Sequence, residues 1–441
     1  MNASNDLPSR LLTQLIPWRN AATWHIAFSG GLDSTVLLHL LASLSKNHSL
    51  PTLRAIHVHH GLQAVADTWP AHCRSVCDAL GVPLQVIHVE VQSGASVERA
   101  AREARYGAFL AAIHGNEVLL TAQHRDDQAE TLLFRLLRGA GVRGLAAMPR
   151  QRPLGQGHLF RPLLDVSRAE LETYAAQQGL SWIEDPSNDD HRYARNYLRQ
   201  QVLPIVVGHW PKASATLSRS AAHMVEAQGL LDDLAVIDLA HAATTGPFDW
   251  LGLPSLELAP LQVLSPARQR NALSHWLASR TTLPDSDHWS GWDSLRDAAS
   301  EAHPIWRLAA GELHRAGGRA WWLSDHWLRS VSGPVAWADP SVPLRLPDNG
   351  RVMLSGKAPA GALCVRYRQG GEVMALPGRG HRDLKRLFNE SGVPAFVRGR
   401  LPLLYQSEHL LAAANVGGLD APADGSWKLI WQPGSRDRGL S

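Results

Sequence analysis

The segment Ser29-Gly30-Gly31-Leu32-Asp33-Ser34 constrains this chain more than any other. An apolar run, Trp24-His25-Ile26-Ala27-Phe28, precedes it, and a helical pattern, Thr35-Val36-Leu37-Leu38-His39-Leu40-Leu41, follows. The order reads as strand, glycine turn, helix. Two glycines let the backbone bend sharply and approach a ligand closely. The amides at the helix start lack partners within the helix and have the positive end of the helix dipole behind them, which suits an anion. Ser29 and Ser34 add hydroxyl donors, and Asp33 can hold a magnesium ion. The turn is built for phosphate. It is not a GxxxxGK[ST] loop, which needs a lysine over the terminal phosphates.

The 441 residues suffice for two or three domains. Through residue 200 or so, short apolar runs at His25–Phe28, Leu53–His59, Leu84–Val89 and Val118–Ala122 alternate with helical stretches near 33–45, 67–80, 96–114 and 126–138. That alternation predicts an α/β domain with a parallel sheet, whose ligands bind outside the carboxyl ends of the strands. Residues 215–330 read as mainly helical, with an interruption at Thr244-Thr245-Gly246-Pro247. From 331 the chain is rich in Pro and Gly, with short β-like runs such as Leu363-Cys364-Val365-Arg366-Tyr367, after a candidate linker at Ser332-Gly333-Pro334. The expected division is 1–212, a phosphate-binding α/β domain; 213–330, a helical domain; and 331–441, a small basic α+β domain.

Three cysteines in so long a chain argue against a disulfide framework and for a reducing cytoplasm. No apolar run reaches the length of a membrane span, and residues 1–6 lack the basic-then-apolar pattern of a signal peptide. Residues 331–441 carry 14 basic and 9 acidic side chains. Only five of the 43 basic residues are lysine; bidentate phosphate binding and a GC-rich genome both account for that bias.

His124-Arg125-Asp126-Asp127-Gln128-Ala129-Glu130-Thr131 follows the fourth strand and opens a helix, with Asp126 the expected N-cap. Asp127 and Glu130, three apart, leave one face of its first turn. Beside a phosphate loop such acids can hold magnesium against ATP, or accept a proton from an amine; dipole complementation is the plainer reading. His57-Val58-His59-His60 lacks a nearby fourth metal ligand, so it is read as cleft lining rather than a zinc site. Ser96 caps a helix on which Arg102 and Arg105 share a face, either holding anions or forming an exposed ion-paired surface. Trp182–Asp189 is an acidic loop running into His191-Arg192-Tyr193-Ala194-Arg195-Asn196-Tyr197-Leu198-Arg199, where basic and aromatic residues interleave as single-stranded RNA binding favours; a structural cap is the alternative. Cys73 and Cys77, four apart, are read as core. Arg379–Phe388 reads as a basic amphipathic helix with Arg382, Lys385 and Arg386 on one face, suited to a phosphate backbone.

SGGxDS is the signature of PP-loop pyrophosphatases, which cleave ATP between its α and β phosphates. Beyond it, HVHHGL, SVERAAREARY, HRDDQAETLLFRLLRGAGVRGLAAM, RPLLDVSRAELETY, WIEDPSNDDHRYARNYLR and RDLKRLFNESGVPAFVRGRLPLLY together closely resemble the tRNA(Ile)-lysidine synthase family. The resemblance implies a carbon–nitrogen ligase that adenylates the C2 oxygen of the wobble cytidine of a CAU-anticodon tRNA(Ile). The ε-amine of free L-lysine then displaces AMP. It further implies that Ser29, Gly30, Gly31, Leu32, Asp33 and Ser34 bind ATP, that Asp33, Asp127 and Glu130 serve magnesium and catalysis, and that Arg102, Arg105, His124, Arg195 and Asn196 lie near the substrates. Asp127 and Glu130 both stand as the proton acceptor. The basic tail would grip tRNA. A homodimer is left open. At His59 many relatives have asparagine. The competing readings are another PP-loop tRNA-modifying enzyme such as a thiolase, disfavoured by the missing cysteine pair, and a non-catalytic nucleotide-dependent RNA-binding protein, which needs no carboxylates.

Overall fold

The computed structural model describes residues 6–91, 97–285, 287–299, 302–376 and 380–434, so the expected cap Ser96 and the basic Arg379 lie outside the described residues. Two compact units emerge, Met1–Leu230 and Leu231–Ser441.

In the first unit, β1 (Thr23–Ala27), β2 (Thr52–His59), β3 (Leu84–His88) and β4 (Glu117–Leu120) run parallel in the order β3-β2-β1-β4. The sheet is extended by a hairpin of β5 (Gln151–Leu154) and β6 (Gly157–Phe160), with β6 parallel to β4 and β5 at the edge. The helices are α1 (Leu7–Gln14), α2 (Leu32–Ser45), α3 (Trp69–Leu80), α4 (Val97–Ala112), α5 (Arg125–Leu136), α6 (Val142–Leu145) and α7 (Arg168–Gln177). A parallel sheet covered on both faces produces unbroken apolar runs rather than alternation. Accordingly Trp24, His25 and Ile26 on β1 are all buried, and Val36, Leu37, Leu38, Leu40 and Leu41 bury α2 around most of its circumference.

The strand order reverses between β1 and β4: from β1 the chain builds β2 and β3 on one side, then returns to place β4 on the other. In an open α/β sheet the crevice beyond the carboxyl ends at such a point is where ligands bind. Ser29–Ser34 follow β1 there, and His124–Asp127 follow β4.

After α7, the 182–189 segment leads to α8 (Ala194–Tyr197), a π-helical turn (Leu198–Val202) and α9 (Leu203–His209). Pro204 has no N–H for the carbonyl four residues back, and the helix widens into a π turn just before it. A long helix, α10 (Ala213–Ala240), follows.

In the second unit the expected helical stretch supplies Pro266–Leu277 and Ser290–Asp297. It also contains a four-stranded antiparallel sheet of Ser255–Glu257, Ile305–Leu308, Gly311–Ala316 and Arg319–Ser324, which the sequence reading lacked. Beyond it, Leu363–Arg366 is a strand of a second antiparallel sheet with Val335–Trp337, Leu403–Gln406 and His409–Ala413. A single core joins Trp321, Leu323 and Trp327 to Leu363, Val365, Phe388 and Leu403, so it continues across residue 330. The basic segment differs from expectation: Gly380–Asp383 is a strand paired with Val373–Leu376, and the helix is only Leu384–Glu390. The carboxylate of Asp383 accepts from the Arg386 N–H at 3.0 Å and so sets the helix start after Arg382. Arg382 therefore sits on a strand, with Lys385 and Arg386 on the helix; all three are exposed.

Candidate active site

The glycine turn is organised from within. The Ser29 N–H donates to Ser34 Oγ at 3.2 Å, the two serine hydroxyls lie 3.0 Å apart, and Ser34 Oγ lies 3.0 Å from the Gly31 carbonyl. Gly31 is the N-cap of α2 and has no side chain to cap it, so the first amides of the helix stay available to an anion. Gly30 has φ +86°, a conformation that other residues rarely adopt. A Cβ there would also stand 2.7 Å from Ile183 Cδ1 and 3.1 Å from Cys73 Sγ. The Ile183 N–H donates to the Gly30 carbonyl at 2.8 Å and ties the 182–189 segment to the turn.

A cavity of about 720 Å³ opens beside the turn. Ser29, Gly31, Leu32, Asp33 and Ser34 line it, with Asp127, Arg102, Arg105, His57 and His60. His59 instead reaches Asp67 at 3.2 Å. Of the other expected residues, Gly30 is packed behind the turn, Glu130 and His124 are buried beneath the floor, and Arg195 and Asn196 brace the walls. Arg195 donates to Thr131 Oγ1 at 2.9 Å, and Asn196 donates to the carbonyls of Ser187 and Asp190 at 2.8 and 3.0 Å. Arg382, Lys385 and Arg386 belong to the second unit.

The N-cap of α5 is His124, not the expected Asp126. Its Nδ1 accepts from the Asp126 and Asp127 amides at 3.2 and 3.4 Å, while Asp127 Oδ2 accepts from the His124 N–H at 3.1 Å. Asp126 instead accepts from the Arg168 N–H at 2.9 Å, which anchors α7. Because Nδ1 is an acceptor, the proton of the neutral ring lies on Nε2, 3.6 Å from Asp33 Oδ2 and 3.5 Å from Asp127 Oδ2. Burial opposes a charge on His124, but the surrounding Asp33, Asp127 and Asp126 outweigh it and raise the ring's proton affinity. A second proton, on Nδ1, would face the two amides of the cap. Burial likewise opposes charge on Asp33, yet His124, Arg168 and Arg199 hold its carboxyl below the ordinary range.

Arg199 is the cavity-lining residue the sequence reading passed over, although it ends the quoted basic-aromatic run. It lies on the π turn and reaches back to α5. Its Nε donates to Glu130 Oε1 at 2.6 Å, and one terminal nitrogen donates to Glu130 Oε2 and Asp127 Oδ1, both at 2.8 Å. Burial pushes the Glu130 carboxyl up from its ordinary value against the pull of this guanidinium. A signal was present in the sequence: Asp127 and Glu130 on one helical face call for a cation.

On the far wall, the Tyr106 ring lies between Arg102 and Arg152, whose guanidinium carbons are 4.8 and 4.9 Å from its centroid. Burial would raise the Tyr106 hydroxyl, but Arg102, Arg161 and Arg152 outweigh it and lower it. Burial also lowers Arg105, with Arg102 adding to the effect. This wall is an electropositive surface facing the cavity. Cys73 and Cys77 are fully buried, and burial pushes their thiols up to about 12 and about 11. They are therefore protonated and inert.

The comparisons with known proteins cover the chain from end to end. A family described as a PP-loop domain matches residues 5–206, a TilS substrate binding domain matches 256–321, and a TilS substrate C-terminal domain matches 363–431. The chain is 68% identical over 437 residues to the tRNA(Ile)-lysidine synthase of Pseudomonas fluorescens (strain Pf0-1), covering 99% of each chain. It is 61% identical to that of Pseudomonas aeruginosa PAO1, again over 99% of each, and 40% identical to that of Escherichia coli O157:H7, over 92% of this chain and 96% of the relative. On identity sustained from end to end, the chain belongs to the tRNA(Ile)-lysidine synthase family.

Proposed function

We propose that this chain converts the wobble cytidine of a CAU-anticodon tRNA(Ile) to lysidine, using ATP and free L-lysine. The observation that carries this reading is the shared cavity of the glycine turn, Asp33, Asp127 and the Arg102–Arg105 wall, at the reversal point of the sheet. The free amides of α2 and the hydroxyls of Ser29 and Ser34 hold the phosphates. The pyrimidine O2 attacks the α-phosphorus, and pyrophosphate leaves. The lysine amine then attacks C2, and AMP departs with the C2 oxygen. The target base has to be unstacked to enter. The second unit, with Arg382, Lys385 and Arg386, grips tRNA. Such a reaction belongs in the cytoplasm, where tRNA meets ATP and free amino acids.

Magnesium fits the donors present. Asp33 Oδ1 is buried without a hydrogen-bond partner, and Asp127 lies across His124 from it. Magnesium is held by one or two carboxylates with phosphates and water completing its shell, and bound there it would neutralise phosphate charge. For the proton acceptor, the geometry favours Asp127 over Glu130. Asp127 lines the cavity and meets Arg199 through Oδ1 alone, whereas Glu130 is buried off the cavity with Arg199 on both its oxygens. In this reading Glu130 holds Arg199 in place.

Mass spectrometry of the wobble nucleoside after incubation with ATP, lysine and transcribed tRNA tests the proposal. Lysidine, with one AMP per turnover, is expected. Asp33→Ala should abolish both while tRNA binding persists. ADP in place of AMP, or unmodified cytidine, would refute it.

A further inference from the structure

We propose that Arg168 receives the departing pyrophosphate, an assignment that rests on the ATP-cleaving reading above. Arg168 is the first residue of α7. Its backbone N–H is fixed to Asp126, and its Nε donates to Glu172 Oε1 at 3.0 Å. The guanidinium is thus pinned along one edge. Its terminal nitrogens make no hydrogen bond among the described residues. One lies 3.9 Å from Asp33 Oδ2, which is beyond hydrogen-bond reach. Arg199, by contrast, is committed on three contacts to Asp127 and Glu130. Arg102, Arg105, Arg168 and Arg199 all line the cavity; of the two beside Asp33 and Asp127, it is Arg168 that has its fork of donors unengaged among the described residues. A planar fork, oriented by a carboxylate at Nε and open at its ends, matches a phosphate in bidentate fashion. Its nearness to Asp33 puts it beside the glycine turn, the phosphate side of the cavity.

The chemistry gives this fork a task. When the pyrimidine O2 bonds to the α-phosphorus, the bond to the oxygen bridging the α and β phosphates breaks. That oxygen keeps the electron pair and leaves as part of pyrophosphate. Negative charge therefore grows on the leaving group in the transition state, and a guanidinium already in place stabilises it without moving a proton. Glu172 is a positioning residue that acts through Arg168.

The test uses the full chain with ATP, lysine and transcribed tRNA, measuring AMP and pyrophosphate. The wild-type protein must first release both; if it does not, the reading of the whole site fails, whatever Arg168 does. Given that release, Arg168→Ala and Arg168→Lys should slow AMP formation by about ten- to a hundredfold. Both should also weaken product inhibition by added pyrophosphate by about tenfold, with KM for lysine unchanged. With the β,γ-methylene analogue of ATP, whose leaving group is more basic, the deficit of the variants should widen. Glu172→Gln should shift the same quantities in the same direction by less. If the alanine variant fails to fold, the lysine variant carries the test. A pyrophosphate inhibition constant equal to wild type, or an equal deficit with ATP and the analogue, would overturn the assignment.

Discussion

Replacing Arg199 by Met keeps an aliphatic stem and removes the guanidinium that spans Glu130. The Glu130 side chain is 4% exposed, so its charge would be left buried without a partner. Breaking a fully buried pair in this way costs about 3–5 kcal/mol. Arg199 is itself 36% exposed and partly solvated, which places the cost at the lower end, about 3 kcal/mol. Glu130 can escape part of the penalty by taking up a proton. Burial already raises its carboxyl, and loss of the guanidinium raises it further. An acid whose folded value is raised above its unfolded value near 4.5 is least costly in acid, and stability falls as pH climbs through the folded value. The penalty of Arg199→Met should therefore be smaller at about pH 5 than at about pH 8. Arg199→Met combined with Glu130→Leu removes both charges and should recover about 2 kcal/mol relative to the single variant. Native-state hydrogen exchange at amides of β1 and α2 reports the first unit alone and is the suitable assay. A cost independent of pH, together with a double variant as damaged as the two singles summed, would refute the reasoning.

Gly30→Ala should raise KM for ATP by more than about tenfold, since a positive φ costs about 1–2 kcal/mol for a residue with a Cβ, and that Cβ also meets Ile183; unchanged ATP kinetics would remove the turn from the site. Glu170 is held at about 2: burial works to raise it, but hydrogen bonds from Ser167 and the Arg10 guanidinium prevail. Its stabilisation is present above about 4.5 and lost as pH falls towards 2, so Glu170→Gln should cost about 1 kcal/mol near neutrality, after discounting for its 38% exposure. The variant's acid limb, followed by hydrogen exchange in α7, should be shallower; an unchanged limb contradicts the linkage. The triple variant Arg382→Ala, Lys385→Ala, Arg386→Ala should weaken tRNA binding and flatten its dependence on salt by a slope of about 2, with Arg386 contributing least because Glu390 pairs with it at 3.0 Å. Equal slopes would take this surface out of RNA contact.

What the sequence revealed and what it hid follow from the range of the forces involved. The strand–turn–helix at Ser29–Ser34 and the four parallel strands were legible because local backbone demands and unbroken apolar runs create them. The cap of α5 was misassigned because Asp126 and His124 are both capable caps, and the choice is made by Arg168, whose amide takes the Asp126 carboxylate from 42 residues away. The clasp of Arg199 on Glu130 spans 69 residues, a distance at which no periodicity operates. The antiparallel sheet of the second unit was missed in a tryptophan-rich stretch that resembles a helix, although Gly317-Gly318, with φ +57° and +72°, is a two-residue hairpin turn with a recognisable signature. Arg382 was read as helical because it runs into the Leu384–Glu390 helix; Asp383, one residue on, caps that helix through its side chain and leaves Arg382 to the strand.

The amide of Ile183 bound to the carbonyl of Gly30 has a mechanical consequence. One bond fastens the wall that carries Trp182 through Asp189 to the elbow on which a nucleotide would rest. A guest that pries that wall outward must also tug the elbow, and a nucleotide that stiffens the elbow also braces the wall. On the proposed reading, the elbow and the wall respond together to whatever either one holds, because one backbone bond ties them.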